Sequence, residues 1–74
     1  VTVADGTAAA TDVTVTGIAV GDELVSVLAL TTKAAITSLA DRTSEYTVGA
    51  NKLVKAAGTD ESSNQLIIVW NDLT

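Results

Sequence analysis

Residues Gln65-Leu66-Ile67-Ile68-Val69-Trp70-Asn71 constrain the fold of this 74-residue chain more than any other stretch. Five consecutive large apolar residues stand between polar ends, and four of them (Ile67, Ile68, Val69 and Trp70) are β-branched or aromatic. A short run of residues suited to a pleated surface predicts a central strand with both faces covered. It also holds the only Trp of a chain with one Tyr and no Phe, so the rest of the molecule is expected to pack around it. The natural neighbour is Glu23-Leu24-Val25-Ser26-Val27-Leu28-Ala29-Leu30. There a period of two puts Leu24, Leu28 and Leu30 on one face and Val25, Val27 and Ala29 on the other, again with both faces apolar.

The remaining segments supply shorter strands between turn signals. Asp12-Val13-Thr14-Val15-Thr16 alternates apolar and polar, as a strand with one wet face does. Gly17 ends it, and Ile18-Ala19-Val20 leads to a Gly21-Asp22 turn. Thr31 to Asp41 reads as an irregular connection with at most one helical turn, a short strand at Ile36–Leu39 being the alternative, and Asp41-Arg42-Thr43 as a turn. Ser44-Glu45-Tyr46-Thr47-Val48 points Tyr46 and Val48 inward. A Gly49-Ala50-Asn51 turn follows, and then a strand at Lys52-Leu53-Val54-Lys55-Ala56 with charged outward positions. Ala57 to Asn64 is the most polar stretch and reads as a solvent loop. Turn signals every 8 to 12 residues or so and the absence of Pro favour an all-β fold: a small antiparallel sandwich or barrel, Ig-like or jelly-roll-like, of about five to seven strands. Residues 12–74 form its single domain. Residues 1–11 form an N-terminal arm or edge strand, with a strand at Thr2–Val3 and a turn at Asp5-Gly6.

Composition narrows the classes of function. Domains this small usually gain stability from disulfides, a metal or association. With no Cys and no His, association with copies of itself or docking onto a larger body is the favoured route. The net charge is −5, and only Lys33, Arg42, Lys52 and Lys55 are positive. That speaks against a nucleic-acid partner, which needs clustered cations to release phosphate counterions. No apolar run approaches the roughly 20 residues of a helical membrane span, so a soluble protein with no membrane partner is expected. Met is absent, position 1 included, and the chain reads as a processed form.

No residue set declares catalytic chemistry. A serine nucleophile wants a base, most often His, and a pair such as Ser26 with Lys52 or Lys55 has no local support. Asp41 with Glu45, Asp60 with Glu61, and Asp22 with Glu23 fall at turns or strand starts, where a carboxylate is usually solvated. Calcium is the one conceivable ion, through Asp5 with Asp12 or Asp60 with Glu61, and neither pair has the spacing of an EF-hand loop. No cofactor, metal site or catalytic residue is therefore assigned. Trp70 is read as core or as part of a subunit seam.

Two segments carry a family likeness. Val13-Thr14-Val15-Thr16-Gly17-Ile18-Ala19-Val20-Gly21-Asp22-Glu23-Leu24-Val25-Ser26-Val27-Leu28 joins an alternating strand, a Gly-Ile step, a Gly-Asp turn and a buried strand. Glu45-Tyr46-Thr47-Val48 then leads through Asn51-Lys52-Leu53 and an Ala-Gly-Thr loop to Gln65-Leu66-Ile67-Ile68-Val69-Trp70-Asn71-Asp72-Leu73. Over residues 12–30 and 44–74 this resembles small virion proteins of tailed bacteriophages, the capsid decoration (cement) or head-associated β-modules. The resemblance implies a non-enzymatic structural role on the outer capsid surface: many copies, or a homo-oligomer, reinforcing contacts between major capsid proteins. An Ig-like adhesion or spacer module of a phage or bacterial surface protein is the alternative. Val1, Thr2, Val3, Ile18 and Val20 are the expected partner-contacting residues, being large or terminal groups outside the strongest strand runs. Ile18 and Val20 could equally close one end of the sandwich.

Overall fold

The computed structural model covers residues 1–74 and contains seven strands. They are β1 (Thr2–Asp5), β2 (Val13–Thr14), β3 (Glu23–Thr31), β4 (Ser38–Asp41), β5 (Thr47–Gly49), β6 (Lys52–Val54) and β7 (Gln65–Asn71), with one 3₁₀ turn at Thr43–Glu45. The apolar run is central, as expected: β7 pairs antiparallel with β1 on one side and β3 on the other. β4 extends this sheet to the order β1-β7-β3-β4, and a second sheet has the order β2-β6-β5. The protein is an all-β sandwich of two antiparallel sheets.

Residues opposite one another across an antiparallel pair share a face, so the register reads as rows across the sheet. Ala4, Leu66, Ala29 and Ala40 form one inner row, and Thr2, Ile68 and Val27 the next. Leu66, Ile68, Val27 and Ala29 are buried there against Val13, Val15, Ile18, Tyr46 and Leu53 of the second layer. Each Val, Leu or Ile among them contributes about 1.5–3 kcal/mol by leaving water. At the far end of β3 the register shifts between Leu24 and Ser26. This bulge leaves Val25 unpaired and exposed and turns Leu24 inward with Trp70. A uniform period of two, which set Leu24 with Leu28 and Leu30 and Val25 with Val27 and Ala29, therefore fails for Leu24 and Val25.

Two connections differ from expectation. Ser38–Asp41 is a strand on the edge of the larger sheet, where an irregular connection was expected. It ends because Asp41 Oδ1 accepts hydrogen bonds from the Thr43 N–H (2.9 Å) and hydroxyl (2.6 Å), a local bond that turns the chain into the 3₁₀ segment. The alternating strand of Asp12–Thr16 is reduced to Val13–Thr14, paired with β6, although Val15 still points into the core.

The N-terminal residues form the edge strand rather than a free arm. Beyond β1 the Gly6 N–H donates to the Asn64 carbonyl at 2.9 Å, and the Glu61 N–H donates to the Thr7 carbonyl at 2.9 Å. Backbone meets backbone so closely there that a Cβ on Gly6 would stand 2.0 Å from the Glu61 carbonyl oxygen. Gly6→Ala must push the two segments apart, and a cost of about 3 kcal/mol is expected, at the upper end of overpacking. A thermal melt should show it as a fall of very roughly 15 °C for a domain of this size.

Candidate functional site

The outer face of the four-stranded sheet carries apolar side chains from all four strands. Its rows are Val3, Ile67, Leu28 and Asp41; then Asp5, Gln65, Leu30 and Leu39; with Val69 and Ser26 continuing toward the bulge. Val3 and Leu39 are 62% and 59% exposed, and Ile67, Leu28, Leu30 and Val69 are half-buried by their neighbours alone. Both faces of β7 and β3 were expected to be covered. The smaller sheet covers one, and no strand of the chain packs on the other. Contiguous apolar surface of this kind is uncommon on a protein that acts alone.

The five residues expected to contact a partner do not form one site. Val1 and Val3 are exposed and, by the period of two along β1, lie on the outer side of the sheet. Thr2 faces inward and its hydroxyl oxygen accepts a hydrogen bond from Trp70 Nε1 at 3.3 Å, so Trp70 packs against the core as expected. Val20 is 73% exposed on the turn at the end of the sandwich. Ile18 is buried within the core, so the expectation that it offers a surface contact is corrected. The turn that carries it is locked on both sides: the Asn51 N–H donates to the Ile18 carbonyl at 2.7 Å, and Asp22 Oδ2 accepts from the Ala19 N–H at 2.9 Å. Asp22 Oδ1 also accepts from the N–H groups of Leu73 (2.8 Å) and Thr74 (3.0 Å) and from the Thr74 hydroxyl (2.9 Å), tying the chain's end to this turn.

A second feature was not anticipated. The polar stretch Ala57–Asn64 is no simple solvent loop, because Glu61 and Asn64 are buried and the loop closes over a polar cluster. Arg42 Nε donates to Glu61 Oε1 at 2.7 Å, and Asn64 Nδ2 donates to Glu61 Oε2. Glu45 accepts from the Thr59 N–H at 2.8 Å and from its hydroxyl at 2.9 Å. Lys55 Nζ donates to the Thr59 carbonyl and lies 5.3 Å from the centre of the Tyr46 ring, a cation–π arrangement. The Tyr46 hydroxyl is buried without a hydrogen-bond partner. Lys55 had been placed outward with Lys52. The two are three residues apart, however, and a period of two puts Lys55 on the inward side with Leu53. That count is the signal that could have found the cluster.

Electrostatics follow the contacts. The Thr59 N–H holds Glu45 below the usual carboxylate range against the opposing effect of burial. Glu61 raises Arg42 further. Burial, helped by the charges of Glu61 and Glu45, pushes the Tyr46 phenol up to about 12. Asp12 is lowered by the Lys55 N–H and by Lys52, and Asp41 by the Thr43 hydroxyl and N–H. Asp60 is lowered by Ser62. For Asp22 desolvation opposes ionisation, but the four donors from Ala19, Leu73 and Thr74 outweigh it.

These directions fix the pH dependence. Carboxylates lowered in the folded state add stability that is complete above their ordinary values of 3.8 and 4.5 and is lost as pH falls through the lower folded values. Tyr46 adds stability that is complete below pH 10 and lost as pH rises toward 12, because the unfolded phenol ionises first. Urea midpoints measured from pH 2 to 12 should therefore form a plateau with an acid edge below about 4 and an alkaline edge above about 10. The alkaline edge should be reduced in Tyr46→Phe.

The remaining candidate groups are dispersed. Ser26 lies on the outer face and Lys55 in the core, and the adjacent acidic pairs divide between separate partners. Asp60 bonds the Ser62 N–H at 2.9 Å while Glu61 is buried, and Glu23 accepts from Asn71 Nδ2 at 2.7 Å while Asp22 clamps the chain's end. Asp5 pairs with Lys33 and Asp12 with Lys52, each at 3.3 Å, and no three acidic groups converge. The surface has no enclosed cavity. No protein-family model, curated protein or solved structure gives a match to this chain.

Proposed function

We propose that the chain is a structural virion protein of the decoration (cement) type, which binds the outer surface of a tailed-phage capsid and reinforces contacts between copies of the major capsid protein. The observation that carries this reading is the open outer face of the four-stranded sheet, half apolar and left uncovered by the chain itself. Such a face suits a protein completed by docking onto a larger body. The strand-and-turn pattern that resembles phage virion modules supports it, as does the acidic surface, which fits an outward position on a shell. A shell presents many equivalent sites, so a small contact per copy suffices to coat it. The Ig-like spacer reading fits less well. β1 and β7 are antiparallel neighbours, with Thr2 beside Ile68, and the last residues bond to Asp22 at the same end. A tandem spacer requires its two chain ends at opposite ends of the module.

The test is to mix the purified protein with capsids that lack it. Saturable, stoichiometric binding and a raised shell melting temperature are expected. A stable protein that ignores capsids and binds a glycan would contradict the proposal.

A further inference from the structure

We infer that the docking surface is the outer face of the β1-β7-β3-β4 sheet, and that it takes a protein patch with an apolar centre and a cationic side chain opposite Asp41. The inference rests on the virion reading for the source of that patch. It adds which face docks and what chemistry it recognises.

The four corners of the two full rows carry the argument. Val3 and Leu39 occupy one diagonal and Asp5 and Asp41 the other, around a centre of Ile67, Leu28, Leu30 and Gln65. No Lys or Arg stands in these rows, but Lys33 pairs with Asp5 at 3.3 Å, which leaves Asp41 as the acidic corner without a counter-charge. Asp41 is held in its charged form by Thr43, which engages only its Oδ1. Charge complementarity thus asks for a cation opposite Asp41. The strands β1, β7, β3 and β4 hold four, seven, nine and four residues, so the face measures about 400 Å² and a partner of equal footprint buries on the order of 800 Å² in total, a small contact that counts where a shell repeats it many times.

The same corners reject a second copy. Stacked on itself with strands aligned, about either two-fold axis lying in the sheet plane, the face would set a carboxylate against Val3 or Leu39 at every corner. Burying a carboxylate against an aliphatic group without a partner is costly, and each copy also carries a net charge of −5.

The experiment uses the full chain and capsids lacking it, with Val3→Glu and Leu39→Glu on the face, Val20→Glu as an exposed control at the end of the sandwich, and Asp41→Asn, which keeps the acceptor for Thr43 and removes the charge. Far-UV spectra and melts establish that each variant folds. Val3→Glu and Leu39→Glu should weaken capsid binding by about 100-fold, because each sets an unpaired carboxylate against the apolar patch of the partner. Asp41→Asn should weaken it about tenfold at low salt and little at high salt, and Val20→Glu should bind as the unchanged chain does. Normal binding by both face variants, or loss of binding in Val20→Glu alone, overturns the inference and leaves the virion reading standing. An unchanged chain that binds no capsid removes the virion reading and the inference with it. In sedimentation the unchanged chain should be a monomer; a dimer that Val3→Glu dissociates would assign the face to a second copy and overturn the inference.

Discussion

Glu61→Ala is expected to destabilise the fold by about 3 kcal/mol, a large part of the roughly 4–11 kcal/mol available to a domain of this length. Glu61 is fully buried, and both carboxylate oxygens are engaged, one by Arg42 and one by Asn64. Alanine leaves a void, an Asn amide without its acceptor and a guanidinium without its counter-charge. The Arg42 side chain is 29% exposed, so water recovers part of that loss, which keeps the figure at the low end for a broken buried pair. The damage should spread, because residues 59–64 also hold Glu45, Lys55 and, through backbone hydrogen bonds, Gly6 and Thr7. Urea unfolding measures it. Glu61→Gln, which keeps the shape and one acceptor, should cost about half as much, and the double change Glu61→Leu with Arg42→Met should recover part of the loss, the Asn64 amide still lacking its acceptor. A Glu61→Ala midpoint within error of the unchanged chain would mean that the cluster does not hold the loop.

The second large effect separates two adjacent residues of one strand. Ile68→Ala should cost about 3–4 kcal/mol, since Ile68 is buried in the inner row and its removal leaves a cavity between the sheets. Ile67→Ala should cost about 1 kcal/mol, because Ile67 lies on the outer face, already half in water. The ratio matters more than either value. A central strand covered on both faces would give similar losses at both positions.

Much of this was legible in the residues. A five-residue apolar run with β-branched and aromatic members placed β7 at the centre, and Glu23–Leu30 was recognisable as its neighbour because no other stretch is as long and as apolar. Tyr46 and Leu53 were readable as inward by alternation. What the residues could not tell was how many layers cover the central strands. Ile67 and Ile68 are chemically identical, and only the count of sheets separates the dry one from the wet one. The bulge at Val25 was hidden for a related reason, since one inserted residue reverses a pattern without changing composition. Ile18 was taken for a surface group because it is a large apolar residue outside the strongest strand runs, yet the hydrogen bond from Asn51 folds that step over the core. The polar cluster escaped notice because Asp, Glu, Ser and Asn between two strands read as a solvent loop. Lys55, two residues after buried Leu53, carried the contrary signal.

This sandwich has one face closed by its own second sheet, and we propose that the other docks on a shell. A density map of capsids decorated with the protein tests it most directly. The β1-β7-β3-β4 sheet is expected against the shell, with Val3, Ile67, Leu28 and Leu39 at the contact and the smaller sheet outermost. A map with the smaller sheet or residues 57–64 against the shell, and the rows of Val3 and Leu39 facing solvent, would contradict it.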